Sequence, residues 1–99
     1  MPSYRFSAAI GALRPGVRAA ALLPTLTTDA RSLAVVEASS VDIVRGAARI
    51  TIRFTGEDDA DARSIALGIF GLAAESAELS DLELTRRSKN LWLPVAAEE

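Results

Sequence analysis

Between residues 58 and 77 the chain carries a helical pattern that is apolar almost all the way round. On a 3.6-residue wheel Ala62, Ile65, Ile69 and Leu72 form one stripe, and Ala66, Phe70, Ala73 and Ala77 form its neighbour. Leu67 and Ala74 lie beyond these, and the remaining stripe of Ser64, Gly68, Gly71 and Glu75 is mostly small. A surface helix buries an apolar stripe roughly 100° wide, so this one demands cover on more than one side. With 99 residues in all, the chain has little else to supply it. Either the first helix and a sheet enclose it completely, or a partner takes the side that is left.

The segments around it read as a sheet. Val41 and Ile43 alternate with Asp42 and Val44, Arg45-Gly46-Ala47 supplies a turn, and Ala48, Ile50, Ile52 and Phe54 then share one face against Arg49, Thr51 and Arg53 on the other. That is a hairpin with one buried and one wet face. Upstream, Tyr4, Phe6, Ala8 and Ile10 alternate in the same way up to Gly11, a first strand. Pro15 suits a first helical turn, Val17 to Leu23 favours helix, and Pro24 is expected to end or kink it. Thr25 to Ser32 is polar and turn-like. Leu33 to Ala38 leans to strand on Val35-Val36, with Ala38-Ser39-Ser40 as a bulge or break, although Asp29-Ala30-Arg31 after Thr28 also permits a helix start.

Thr55-Gly56-Glu57-Asp58 matches a capping box, and Glu57, Asp58, Asp59 and Asp61 complement the positive end of the helix dipole. Leu82 and Leu84 mark a fourth strand, and Arg86 to Asn90 a polar turn. Leu91 to Val95 is an extended apolar tail that Pro94 keeps out of a sheet interior, and 96–99 is expected to be disordered. The expectation is a single α+β domain over 1–99: an antiparallel sheet with two helices on one face in the split βαβ, ferredoxin-like order, with a further strand.

Chemistry is scarce. The chain has no His and no Cys, which removes the commonest nucleophile–base pairs, disulfides and soft-metal sites. No Gly-x-Ser-x-Gly elbow or phosphate loop occurs. The acidic cluster lacks the spacing of a calcium loop, and capping explains it. No enzyme activity, cofactor or metal is expected. The net charge of −2 exerts no general pull toward nucleic acid. No run approaches the ~18 apolar residues of a membrane span, and Pro24 interrupts the greasy stretch Val17 to Leu26, so a cytoplasmic protein without a signal peptide is expected.

Two surfaces remain. The Leu67/Phe70 side of the helix, with Gly68 and Gly71 allowing close backbone approach, is a candidate partner-binding face. Arg5, Arg49 and Arg53 lie on the wet face of the sheet, and Arg86, Arg87 and Lys89 follow the fourth strand, together a candidate phosphate-binding surface. Asp42, Asp81 and Glu83 share that face and would pair with the arginines across strands. No aromatic ring is expected there for bases to stack on.

Several stretches resemble the small dimerising subunit of the KEOPS complex, the family that includes the CTAG/LAGE antigens. They are Ala21-Leu22-Leu23-Pro24, Arg31-Ser32, Arg45-Gly46, the run Ile50-Thr51-Ile52-Arg53-Phe54-Thr55-Gly56-Glu57-Asp58, and the long apolar second helix. The resemblance implies a non-catalytic protein that self-associates through its sheet and docks its helices on the large KEOPS subunit, which makes threonylcarbamoyl-adenosine in tRNA. By position it adds Leu22 and Leu23 to Leu67 and Phe70 in the docking surface, and gives Arg49 and Arg53 a part in holding tRNA. The leading expectation is therefore an interaction and dimerisation subunit. The alternative is a small-molecule-binding regulatory domain of ferredoxin-like topology, with ligand at a dimer seam near Gly46 or at Thr55-Gly56.

Overall fold

The structure is a computed structural model and describes residues 1–96. Its elements are β1 (Ser3–Leu13), α1 (Ala19–Ala30), β2 (Val36–Val44), β3 (Ala47–Thr55), α2 (Asp59–Ala74), β4 (Ala77–Ser88) and β5 (Leu91–Pro94). The strands form one sheet in the order β2-β3-β1-β4-β5, with every neighbouring pair antiparallel. This is the expected α+β class, widened by β5 beyond β4. Both helices lie on the same face.

The period of two along β1 and β3 decides which face that is. Tyr4, Phe6 and Ala8 on β1, and Ile50, Ile52 and Phe54 on β3, are all buried. The register sets Tyr4 opposite Phe54 and Phe6 opposite Ile52, and the Tyr4 and Phe54 rings stack with centroids 5.9 Å apart. Over them α2 lays Ala62, Ala66, Ile69 and Ala73, and α1 lays Leu22, Leu26 and Ala30, each a buried series at helical spacing. Small residues dominate the α2 series, so that helix sits close to the sheet.

The first helix departs from expectation. Pro15 lies in a turn closed by the Val17 N–H on the Arg14 carbonyl, and Pro24 stands inside α1 rather than ending it. Energetics explain this. Burying Leu22 and Leu26 is worth roughly 1.5–3 kcal/mol each, together more than the ~3 kcal/mol an interior proline costs. The polar stretch after Pro24 is helical because its hydroxyls find partners: Thr27 Oγ1 donates to the Leu23 carbonyl (2.7 Å) and lies 2.9 Å from Ser39 Oγ on β2.

Three further boundaries shift. Ala38-Ser39-Ser40 does not interrupt the second strand; a register shift between Val36 and Ala38 leaves β2 continuous to Val44. Thr55 is not the helix cap, because it stays in β3 with its N–H on the Val35 carbonyl. The cap is Asp58, whose carboxylate accepts from the Asp61 N–H at 2.8 Å, while Asp61 reaches back to the Glu57 N–H at 2.9 Å. Finally α2 stops at Ala74, and β4 takes in both Ala77 and Arg86-Arg87, so the turn shrinks to Lys89-Asn90. The apolar tail becomes β5, an edge strand, as Pro94 requires. Ala96, placed in the expected disordered tail, accepts a hydrogen bond from Arg63 Nη1 at 3.1 Å; the other residues of that tail lie outside the described ones.

Tyr4 ties the sheet to the start of α2. Its hydroxyl donates to Asp59 Oδ1 at 2.8 Å, and Arg86 Nη1 approaches the same oxygen at 3.4 Å. Burial, the hydrogen bond to the Asp59 carboxylate and the charge of Asp59 push the phenol up to about 12, with Arg86 opposing. An unfolded tyrosine ionises near ~10, so the unfolded state loses its proton first. The stability linked to Tyr4 is complete below the unfolded value and is lost as pH rises through the folded one. The chain has a single tyrosine. Tyrosinate absorbance of the folded protein should therefore rise only toward the upper value, the urea midpoint should fall above ~10, and Tyr4→Phe should remove that part of the fall.

Candidate functional site

Two surfaces stand out, one on each side of the sheet. On the helix side, α2 packs against β4 and β1 but leaves part of β4 uncovered. The result is a groove of about 390 Å³ between α2 and β4, lined by Phe6, Ala66, Leu67, Phe70, Leu82 and Leu84, with Arg63, Val95 and Ala96 at its margin. Leu67 is 70% exposed on its rim and Leu82 is 46% exposed. Phe70 is half-buried, packed on the core from one side and lining the groove with the other.

Of the six residues expected to bind a partner, only Leu67 and Phe70 meet in this groove. Leu22 is 7% exposed and belongs to the chain's own interior, and Leu23 is half-buried against the core on α1, away from this groove. Gly68 serves an intramolecular approach: a Cβ there would stand 2.8 Å from Leu33 Cδ1. Gly71 faces open space, with nothing within 4 Å of where its Cβ would be. Gly71→Ala should accordingly gain the helix propensity that glycine forfeits, raising the unfolding free energy by ~0.5–1 kcal/mol as a higher urea midpoint at unchanged slope.

The other surface is the open face of the sheet, a trough of about 610 Å³ whose lining includes Arg5, Ser7, Arg49, Thr51, Arg53, Glu83, Thr85 and Trp92. Its two ends differ. At one end Arg49, its side chain 12% exposed, is held through both terminal nitrogens. Its Nη1 donates to Asp81 Oδ2 at 3.1 Å, and its Nη2 reaches Ser7 Oγ at 3.0 Å, the Asp81 carbonyl at 2.7 Å and Glu83 Oε2 at 2.8 Å. The expected cross-strand pairing thus occurs for Asp81 and Glu83. Asp42 stands opposite Arg49 in register, but its carboxylate accepts from Ser40 instead.

At the other end Arg5 and Arg53 are direct cross-strand partners, and the indole of Trp92 lies across both. The guanidinium carbons are 4.0 and 5.3 Å from its ring centroid. Arg53 Nε donates to Glu37 Oε1 at 3.1 Å, and the Ser3 hydroxyl donates to the same oxygen at 2.7 Å. The Ser3 hydrogen bond first, then Arg53 and Arg87, lower the Glu37 carboxyl below its ordinary value.

The expected arginine surface therefore divides. Arg5 and Arg53 stay together, and Arg87 joins them as the cross-strand partner of Trp92. Arg86, one residue out of phase, is on the helix side with Tyr4 and Asp59. Lys89 sits in the β4–β5 turn at φ 56°, its carbonyl taking Arg87 Nε at 3.1 Å. The expectation that no aromatic ring reaches the wet face is corrected by Trp92. Its position follows from the pairing of β5 with β4, which a four-residue apolar tail ending in proline does not announce. Near Gly46 the chain is an exposed turn at φ 80°, and at Gly56 the Tyr4 ring fills the space where a ligand was expected.

Among the described residues no group of three or more acidic side chains is placed to hold a metal ion. No helix among them is long and apolar enough to cross a membrane. No family model and no curated protein matches the sequence. Among solved structures, Rv0793 from Mycobacterium tuberculosis is similar at 15% identity, over 89% of this chain and 94% of that one, with a TM-score of 0.45.

Proposed function

We propose that this protein is a non-catalytic interaction subunit that docks an apolar-anchored segment of a larger protein in the groove between α2 and β4. The observation that supports this reading is Leu67. This leucine stands in mid-helix, 70% exposed on the rim of a groove floored by Phe6, Ala66 and Leu84. Helix-in-groove recognition places bulky anchors in such a cleft and leaves its polar margin to set register. The resemblance described from the sequence names one occupant, the large KEOPS subunit.

Leu67→Asp is the decisive variant. Its site is exposed, so folding stability should change little, within roughly 0.5–1 kcal/mol. Phe70→Asp is less informative, because Phe70 also packs on the core. Titrating purified large KEOPS subunit should give a saturable complex with the natural chain and a loss of roughly thirtyfold or more in affinity with Leu67→Asp, the size of an interface hot spot. Equal affinity for both chains would overturn the groove as the docking surface. No association with that subunit would remove it as the partner.

A further inference from the structure

We propose that the Trp92 end of the open sheet face is a binding site for a small organic anion, held by Arg5 and Arg53 with Arg87 beside them. Two guanidiniums directly opposite one another on neighbouring strands repel, a destabilising arrangement in a sheet. Here it is kept, and among the described residues one carboxylate, Glu37, faces three cations at that end. The local excess is two positive charges in a chain whose net charge is −2. Arg53 and Arg87 each make a hydrogen bond within the protein. Among the described residues Arg5 makes none: its one partner is the face of the Trp92 ring, 4.0 Å away. That stacking fixes the guanidinium plane while leaving its N–H donors free, the state in which arginine forks a carboxylate or a phosphate.

The surroundings suit a ligand rather than bare solvent. Arg5 and Arg53 line a trough of about 610 Å³ together with the hydroxyls of Ser7, Thr51 and Thr85, within the ~300–1,000 Å³ of small-molecule sites. Arg49 contributes nothing to anion binding, because Asp81, Glu83 and Ser7 already hold its donors. The ligand is thus anchored by one anionic group at Arg5 and Arg53 and extends along the hydroxyl-lined floor. Carboxylate and phosphate share the required chemistry, two coplanar oxygen acceptors. This site lies on the opposite side of the sheet from the docking groove and stands independently of it.

Trp92 is the single tryptophan of the chain, so its fluorescence reports this site alone. The experiment titrates the protein with inorganic phosphate, phenyl phosphate, acetate and benzoate at constant ionic strength maintained with chloride, so that general screening does not vary. A saturable change in Trp92 emission is expected with at least one series, and which series gives it identifies the anchoring group as phosphate or carboxylate. Phenyl phosphate or benzoate binding more tightly than its inorganic or methyl counterpart would show that the trough takes the body of the ligand. Arg5→Gln should weaken binding about tenfold or more, the effect of losing charge-assisted hydrogen bonds, and Arg5→Lys should weaken it by less. Arg18→Gln, exposed at the start of α1, should leave it unchanged. No saturable change with any of the four anions, or binding undiminished in Arg5→Gln, would overturn the proposal.

Discussion

Phe54→Ala should lower the unfolding free energy by ~3–5 kcal/mol, a large part of the ~5–15 kcal/mol typical of a domain this size. Phe54 has no solvent exposure, stacks on Tyr4 and sits in β3 next to the central strand. Truncation removes the ring's burial and its contact with Tyr4, and it leaves a cavity that a β-sheet interior closes poorly. The variant should show a sharply reduced urea midpoint. Phe54→Leu retains most of the volume and should cost clearly less. An alanine variant unfolding within about 1 kcal/mol of the natural chain would mean that the Tyr4–Phe54 pair is not the centre of the core.

The pairing of Tyr4 with Phe54 was readable in one respect only. The alternation in residues 4–10 and 48–54 fixes which side chains share a face, because the period of a strand is two and a slip of one residue would drive Ile50, Ile52 and Phe54 into water. The Arg45-Gly46 turn was equally legible, since two adjacent residues at positive φ (52° and 80°) form the hairpin connection that matches strand twist. Features set by tertiary contact were not legible. Local rules have Pro24 end or kink a helix, and only the burial of Leu22 and Leu26 carries the helix past it. Ala77 fits the wheel of α2, yet it belongs to β4, where it pairs with Leu13.

The candidate sites divide along the same line. Leu67 is identifiable because a helix apolar on most sides needs more cover than a chain this short readily supplies, and Leu67 stands open. Gly68 was read as room for a partner. It is room for Leu33, which the sequence places in a region ambiguous between strand and helix. Trp92 was not identifiable as part of the arginine face. Its side of the sheet depends on a two-residue turn at Lys89-Asn90, and one residue more or less would have turned the indole to the helix side.

Gly56→Val should destabilise the protein by ~1–3 kcal/mol through overpacking alone. Gly56 is buried between the end of β3 and the Asp58 cap, with its N–H on the Pro2 carbonyl. A Cβ at this position would stand 3.1 Å from Tyr4 Cε1 and 3.3 Å from the Ala62 Cβ. Neither neighbour has anywhere to go, since both are without solvent exposure and Ala62 is fixed in the first turns of α2. Gly56, two residues before the cap, thus keeps glycine to admit the tyrosine ring. Valine would push Tyr4 outward and stretch its 2.8 Å hydrogen bond to Asp59. Two readouts should move together: the urea midpoint falls, and the tyrosine titration drops from about 12 toward the ordinary phenol value as the ring gains solvent and loses its carboxylate partner. The steric origin can be isolated by a double-mutant cycle. In a Tyr4→Leu background the ring is gone, and adding Gly56→Val should cost less than it does in the natural chain, a coupling of roughly 0.5–3 kcal/mol. Equal cost in both backgrounds would place the strain at Ala62, and hence in the seating of α2 rather than in the tyrosine that bridges sheet and helix.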